Sequence, residues 1–293
     1  MPIWKVLSKM MKYLKIYMEL AKVRITFAVT LTTFVGYFMV DGIVDSTLWW
    51  TLLGIFLLAS GSAALNQYQE HHLDAKMDRT KNRPIPSGAI SPIHGLLFAF
   101  VLSALGSYLL YWSSGFESMQ LGILALIWYN AIYTPLKRKS AFAVVPGSVI
   151  GAIPPMVGYV AAGGNLLDPQ ILAFAFFMFM WQVPHFWLLI MRNGADYRKA
   201  GFPTIADIYN DRQLKSITYL WIAATAVSSM LLPLMHVLRS NILLIILSIS
   251  LIIVLVGFAS IFRSEYNKKT IFKYFMGINV YLLVILGLII AGV

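Results

Sequence analysis

Residues 66–88 read NQYQEHHLDAKMDRTKNRPIPSG, and the stretch lies between two long apolar runs. It gathers three acids (Glu70, Asp74, Asp78), four bases (Lys76, Arg79, Lys81, Arg83) and two histidines (His71, His72) in a chain that is only 12% charged. Asn66, Glu70, Asp74 and Asp78 are spaced by four. On a helix each step of four turns the chain about 400°, so each side chain sits about 40° on from the last and the four face one way. Such a stripe suits a hard cation, because Mg2+ is held by one or two carboxylates together with substrate phosphates. A solvated loop between two membrane spans would account for the charge alone. Two features speak against that. The apolar run TLLGIFLLASGSAAL (51–65) leads straight into Asn66, which puts the first donors at or inside the membrane edge, where polar groups are costly and functional. The arginines also follow the acids at once, as a metal-bound polyanion would require.

Working outward, 59% of the 293 residues are hydrophobic, whereas a soluble domain carries roughly 25% charged residues. The composition predicts a polytopic, all-α membrane protein with one membrane-embedded domain over 24–293. There is no cysteine, which excludes disulfides, zinc–thiolate sites and thiol chemistry. The net charge of +11 sits in short loops of an apolar chain, so it reads as membrane orientation and not as nucleic-acid binding. Residues 1–23 lack the apolar core and cleavage site of a signal peptide. Lys5, Lys9, Lys12, Lys15, Glu19 and Lys22 recur every three or four residues with Trp4, Leu7, Met11, Leu14 and Met18 between them. This predicts an amphipathic helix lying on the cytoplasmic face of the lipid bilayer.

Nine spans of near the ~20 residues that a bilayer needs are expected at 24–41, 47–67, 92–112, 118–136, 141–162, 169–191, 216–236, 241–262 and 273–292. The N-terminal segment and the loops after spans two, four, six and eight hold every Lys and Arg except Arg239. That asymmetry puts the N-terminus and those loops in the cytoplasm, and the C-terminus on the opposite side. Chemistry is expected on the cytoplasmic side, since the other loops are short and plain.

Three further segments carry polar groups. WYNAIYTPLKRKS (128–140) places Tyr133 and Lys137 one helical step apart, followed by Arg138 and Lys139, with Pro135 loosening the helix. MFMWQVPHFWLLIMRN (178–193) puts Gln182 and His185 within the bilayer, framed by Trp181, Phe186 and Trp187. RNGADYRKAGFPTIADIYNDRQLK (192–215) is a second cluster of acids and bases, with Asp196 nearest the membrane. Gly147, Gly151 and Gly158 of span five permit close helix packing, and Pro146, Pro154 and Pro155 bend it. Carboxylates with Mg2+, crowded by Lys and Arg, are the parts for holding a diphosphate and stabilising it as a leaving group. Aromatic faces can stabilise a developing carbocation. Together these describe prenyl transfer from an isoprenyl diphosphate.

The N-x-x-x-E-x-x-x-D segment followed by RTKNRP resembles the first motif of the UbiA-type intramembrane prenyltransferases. YTPLKRKS, GSVIGAIPPMVGY, WQVPHFW and DYRKAGFP resemble the branch of that family that farnesylates heme b, over about residues 20–215. The resemblance implies nine transmembrane helices around a central cavity. It implies Asn66, Glu70, Asp74 and Asp196 as metal and catalytic residues with Lys137. Arg24, Arg79, Arg83, Tyr133, Lys137 and Arg138 would bind the diphosphate, and Gln182 and His185 the acceptor, with His71 and His72 as weaker heme candidates. Glu70 replaces the usual aspartate. Arg192 stands where relatives outside the branch carry the first acid of a second motif, which puts a second metal site in question. The implied substrates are farnesyl diphosphate and heme b, the implied cofactor is Mg2+, and the implied partner is a heme A synthase or the terminal oxidase assembly. The rival readings are a quinone precursor as acceptor, a structural membrane subunit, for which the clustering of Glu70, Asp74, Arg79 and Arg83 is hard to explain, or a transporter or channel. The latter calls for charge near the bilayer midplane, and here the charge gathers at one face.

Overall fold

A computed structural model describes residues 3–263 and 267–293, apart from the side chains at 3, 5, 6 and 9. Lys5 and Lys9 of the expected basic stripe fall outside the described side chains. Where apolar residues run unbroken for twenty positions, the backbone can satisfy its own hydrogen bonds only as a helix, and the described residues contain no strand. The long helices are α1 Ile3–Leu20, α2 Val23–Asp41, α3 Ser46–Asp74, α4 Pro92–Ile127, α5 Val149–Ala161, α6 Pro169–Arg192, α7 Asp211–Ser228, α8 Asn241–Ala259 and α9 Lys268–Gly292.

Eight described helical segments are long and apolar enough to cross a membrane. The third, Pro92–Leu136, has 45 residues. Straight, it would reach about 68 Å, twice the hydrocarbon core. It is not straight. Gly115 adopts φ 85° and ψ −179°, a backbone shape open to glycine and few other residues, and the chain folds back there. A Cβ at Gly122 would lie 2.8 Å from Leu110 Cδ1, although twelve residues of straight helix would separate them by about 18 Å. The two limbs of α4 therefore lie side by side, and eight described segments of which one is folded in two are consistent with the nine spans expected. Both limbs pack on α3: Gly106 and Gly122 each abut Leu58.

Small residues set the close approaches. A Cβ at Gly158 of α5 would sit 1.9 Å from the Thr33 carbonyl of α2, and one at Gly36 would sit 2.0 Å from the Pro155 carbonyl. Neither backbone can yield cheaply. Gly158→Leu should lower thermal stability in detergent by about 1–3 kcal/mol or more. Gly257→Ala is the control, since nothing lies within 4 Å of that position, and it should be neutral or mildly stabilising. Equal melting curves for Gly158→Leu and wild type would contradict this packing.

Pro154 and Pro155 lie inside α5 and Pro184 inside α6, both unbroken helices. Span five breaks at Ser148 into Val144–Gly147 and α5. Before Pro135, which cannot donate, the helix widens into a π turn over Trp128–Tyr133. The Thr134 hydroxyl caps the Tyr129 carbonyl at 2.9 Å. α6 lies between α5, α7 and α9, and Trp181 Nε1 donates to the Ile278 carbonyl of α9 at 2.8 Å.

Candidate active site

α3 runs past the expected span end at residue 67 and stops at Asp74. Its last turns carry the donors inward: Asn66, Glu70 and Asp74 are 2%, 4% and 1% exposed. Asp78 departs from the expected stripe. The helix has ended four residues earlier, and Asp78 is exposed in the following turns. Hydrogen bonds from Lys199 and then Lys81 hold its carboxyl down to about 2. That contribution is present above the ordinary value of 3.8 and is lost as pH falls toward 2, so the Asp78–Lys199 pair is intact at neutral pH. It ties the loop after α3 to the loop after α6.

Each buried acid meets a base. Arg83 Nη1 lies 2.7 Å from Asp74 Oδ2. Lys137 Nζ lies 2.6 Å from Glu70 Oε2, and Arg138 Nε lies 3.9 Å from Glu70 Oε1. Asn66 Nδ2 donates to Glu70 Oε2 at 3.0 Å and to Thr134 Oγ1 at 3.1 Å. Lys137 lies over the Tyr133 ring, 5.4 Å from its centroid, so the expected shared face of these two residues is present. Tyr133 in turn packs on Phe186 at 6.0 Å between ring centroids.

The base at the start of α2 is Lys22 and not Arg24. Lys22 Nζ donates to Asn66 Oδ1 at 3.1 Å, while Arg24 is exposed and makes no bond to the cluster among the described residues. The reason is local. α1 ends at Leu20 and Lys22 turns left-handed, with φ 49° and ψ 47°, a conformation that costs a residue with a Cβ about 1–2 kcal/mol. Gln67, fully buried, donates to the carbonyls of Glu19 and Leu20 at 3.1 and 2.9 Å, which pins that turn against α3. Burial first, then Arg83 and Lys137, push the Lys22 ammonium down to about 7. Arg83, Lys137 and Arg138, with Lys22 about half charged at neutral pH, face two carboxylates, and the cluster is short of negative charge. Lys22→Met should weaken diphosphate binding about tenfold, the scale of one charge-assisted hydrogen bond. Arg24→Met should leave it unchanged. The opposite order in calorimetric titrations would restore Arg24 to the site.

The second loop closes over the first. Asp196 Oδ2 accepts the Arg79 backbone N–H at 3.3 Å, and Met77 packs with Ala200 and Phe202. The Arg79 side chain is exposed. Asp196 does not join Glu70 and Asp74 in a cage: among the described residues no three acids or histidines gather to hold a metal unaided. Arg192 points elsewhere, with its guanidinium 4.2 Å from the Phe272 ring centroid. The His71 ring is tilted against His72 with centroids 3.9 Å apart, and His71 Nδ1 lies 2.6 Å from the Tyr68 carbonyl; neither histidine bonds to the cluster among the described residues. Gln182 is buried, and its Oε1 occupies the space that a Cβ at Gly151 would take. His185 lies between Trp181 and Phe275, with ring centroids at 4.5 and 4.8 Å, and its buried Nδ1 has no hydrogen-bond partner.

A divalent cation fits this donor set. Glu70 Oε1 is buried without a hydrogen bond, an orphan that a cation would satisfy. The Asn66 oxygen and the Asp74 carboxylate stand one turn to either side. Two carboxylates and an amide oxygen leave coordination positions for phosphate oxygens. The ion pairs draw the cluster together, and none of Asn66, Glu70 and Asp74 lines the cavity beside Arg192 and Lys268 or the one beside Glu117 and Asn165. Spacing did not single out Gln67, and it placed Lys22 in the amphipathic helix and not in the site. Only Lys22, a base at the junction of two helices, carried a signal in the sequence.

A family described as the UbiA prenyltransferase family matches residues 29–283. A protein of Geobacter sulfurreducens named protoheme IX farnesyltransferase is 41% identical over 199 residues, covering 68% of this chain and 73% of its own length. Proteins of the same name from Nitratidesulfovibrio vulgaris and Oleidesulfovibrio alaskensis are 37% and 32% identical. They cover 72% and 93% of this chain and 73% and 94% of their own. Among solved structures, a digeranylgeranylglyceryl phosphate synthase superposes with a TM-score of 0.76 at 18% identity, over 95% of this chain and 98% of its own. A UbiA homolog from Archaeoglobus fulgidus bound to GPP and Mg2+ gives 0.66 at 15% identity, over 94% and 99%. At these identities the structures speak for the fold.

Proposed function

The chain belongs to the UbiA prenyltransferase family, and from that premise we propose that it transfers a farnesyl group from farnesyl diphosphate to a vinyl group of heme b, giving heme O. The observation that carries the reaction type is the buried cluster of Asn66, Glu70 and Asp74 crowded by Lys22, Arg83, Lys137 and Arg138. The acceptor rests on the relatives named above, which are 32–41% identical.

Lys22, Arg83, Lys137 and Arg138 would exchange their present partners for phosphate oxygens and draw charge onto the leaving group. Asn66, Glu70 and Asp74 would hold Mg2+, which when bound supplies further positive charge at the diphosphate. Removing negative charge from the diphosphate lets the allylic C–O bond ionise, with the electron pair leaving on the diphosphate. The Tyr133 and Phe186 rings lie next to Lys137 and offer their faces to the farnesyl cation. The vinyl carbon of heme b forms the new C–C bond. The cation left beside the pyrrole takes the oxygen of water, a proton departs, and a hydroxyethylfarnesyl side chain remains. Asp196 acts from the second loop by holding Arg79 in place. His185, whose Nδ1 is buried without a hydrogen-bond partner, would meet the acceptor.

Helix length and hydropathy make this a multi-pass membrane protein. We place it in the cell membrane with the N-terminus and the cluster cytoplasmic and the C-terminus opposite. α1 would lie in the interface, where its exposed Met10, Met11, Leu14 and Met18 meet lipid. A heme A synthase or the terminal oxidase assembly would take the membrane-bound product. Incubating the purified protein with heme b, farnesyl diphosphate and Mg2+ should yield a heme heavier by one farnesyl group and one hydroxyl in mass spectra. Unchanged heme b beside a farnesylated quinone precursor would move the acceptor to the rival class.

A further inference from the structure

We propose that the cavity between the C-terminal end of α6 and the start of α9 receives the two propionates of the heme acceptor, with Arg192 and Lys268 as their ligands. This rests on the acceptor assigned above.

The cavity holds about 200 Å3, and its lining includes Arg192, Arg198, Asn267 and Lys268 with no carboxylate. Arg198 is partly neutralised by Asp207 at 3.5 Å. Arg192 and Lys268 have no acid partner among the described residues. Arg192 is half-buried with its guanidinium carbon over the Phe272 ring, and its planar donor fork is of the kind that meets carboxylate oxygens. A diphosphate site needs acids for its metal, as Glu70 and Asp74 illustrate. A pocket of bases alone suits singly charged carboxylates.

Position argues for the same occupant. His185 and Arg192 are seven residues apart on α6 and so lie on one face, about 10 Å along the axis. The same face of α9 answers them: Phe275 meets His185 and Phe272 meets Arg192. On the other side of His185, Phe186 reaches Tyr133 beside Lys137. The aromatic path therefore runs from the diphosphate cluster past His185 to the basic cavity. In heme b both propionates lie on one edge of the ring and the vinyls lie on the other half. An acceptor whose vinyl reaches the farnesyl carbon presents its carboxylates away from the diphosphate, where Arg192 and Lys268 stand. The cavity is sized for the carboxylate arms, and the ring would lie along His185 and Phe275.

The test uses full-length protein in detergent, wild type and R192Q/K268Q. Each is titrated with heme b and with its dimethyl ester by the absorbance of the heme, and farnesyl diphosphate binding is followed separately as a check on the fold. Wild type should bind heme b about 10- to 100-fold more tightly than the ester, the scale of one to two charge-assisted hydrogen bonds. The double variant should bind both alike, near the wild-type affinity for the ester, with farnesyl diphosphate binding retained. Equal affinities of wild type for acid and ester, or an undiminished preference in the variant, would overturn the proposal. Farnesyl transfer by wild-type protein reads the acceptor itself. If no heme is farnesylated, the proposed function fails by that measurement, whatever the ester comparison gives.

Discussion

Replacing Asp74 with alanine should lower farnesyl transfer to heme b by about 10²–10³-fold, the usual cost of one preorganised electrostatic group. The effect has two sources. Asp74 is 1% exposed and lies one turn beyond Glu70, so its loss removes one of the two carboxylates available to the cation. It also frees Arg83, which now sits 2.7 Å away. Asp74→Asn keeps the shape and removes only the charge, and it should fall nearly as far. Steady-state assays with saturating heme would check both. Wild-type rates for Asp74→Ala would remove α3 from the chemistry.

Lys137→Met should be nearly as severe for turnover and worse for stability. Lys137 donates to Glu70 at 2.6 Å, and the two side chains are 19% and 5% exposed. Removing one partner of a buried pair leaves the other charge uncompensated, at about 3–5 kcal/mol, and the partial exposure of Lys137 puts the expected value at the lower end. The double variant Lys137→Met/Glu70→Gln separates the two effects. It should regain most of the stability, since no charge remains buried alone, and none of the activity. Thermal unfolding and farnesyl transfer measured on the same samples would read both. Recovery of activity together with stability would reduce Lys137 to a structural role.

The chain disclosed much of this because its informative signals are local. Hydropathy marks the spans. The four-residue spacing of Asn66, Glu70 and Asp74 survives into the structure because one helix carries all three. Where a signal depends on a turn, spacing misleads. Asp78 continues the period of four, but α3 has ended at Asp74. Arg24 looked like the base of the site, yet the left-handed turn at Lys22 resets the phase between α1 and α2 and brings Lys22 inward. Gln67 reads as one more polar residue, and its task of pinning that turn exists only in three dimensions. The break at Gly115 falls in the gap expected between the spans 92–112 and 118–136. The exact end of α3 was not, because Leu73 and the residues before it carry no stop signal.

The central claim is that the buried cluster at the end of α3 binds a metal-complexed diphosphate. It is tested most directly by calorimetric titration of farnesyl thiodiphosphate, a slow-reacting analogue, into wild-type and Glu70→Gln/Asp74→Asn protein with and without Mg2+. Binding by the wild type should tighten markedly when Mg2+ is added, and the double variant should lose that gain. Affinity that is indifferent to Mg2+ in the wild type, or equal in both proteins, would contradict it.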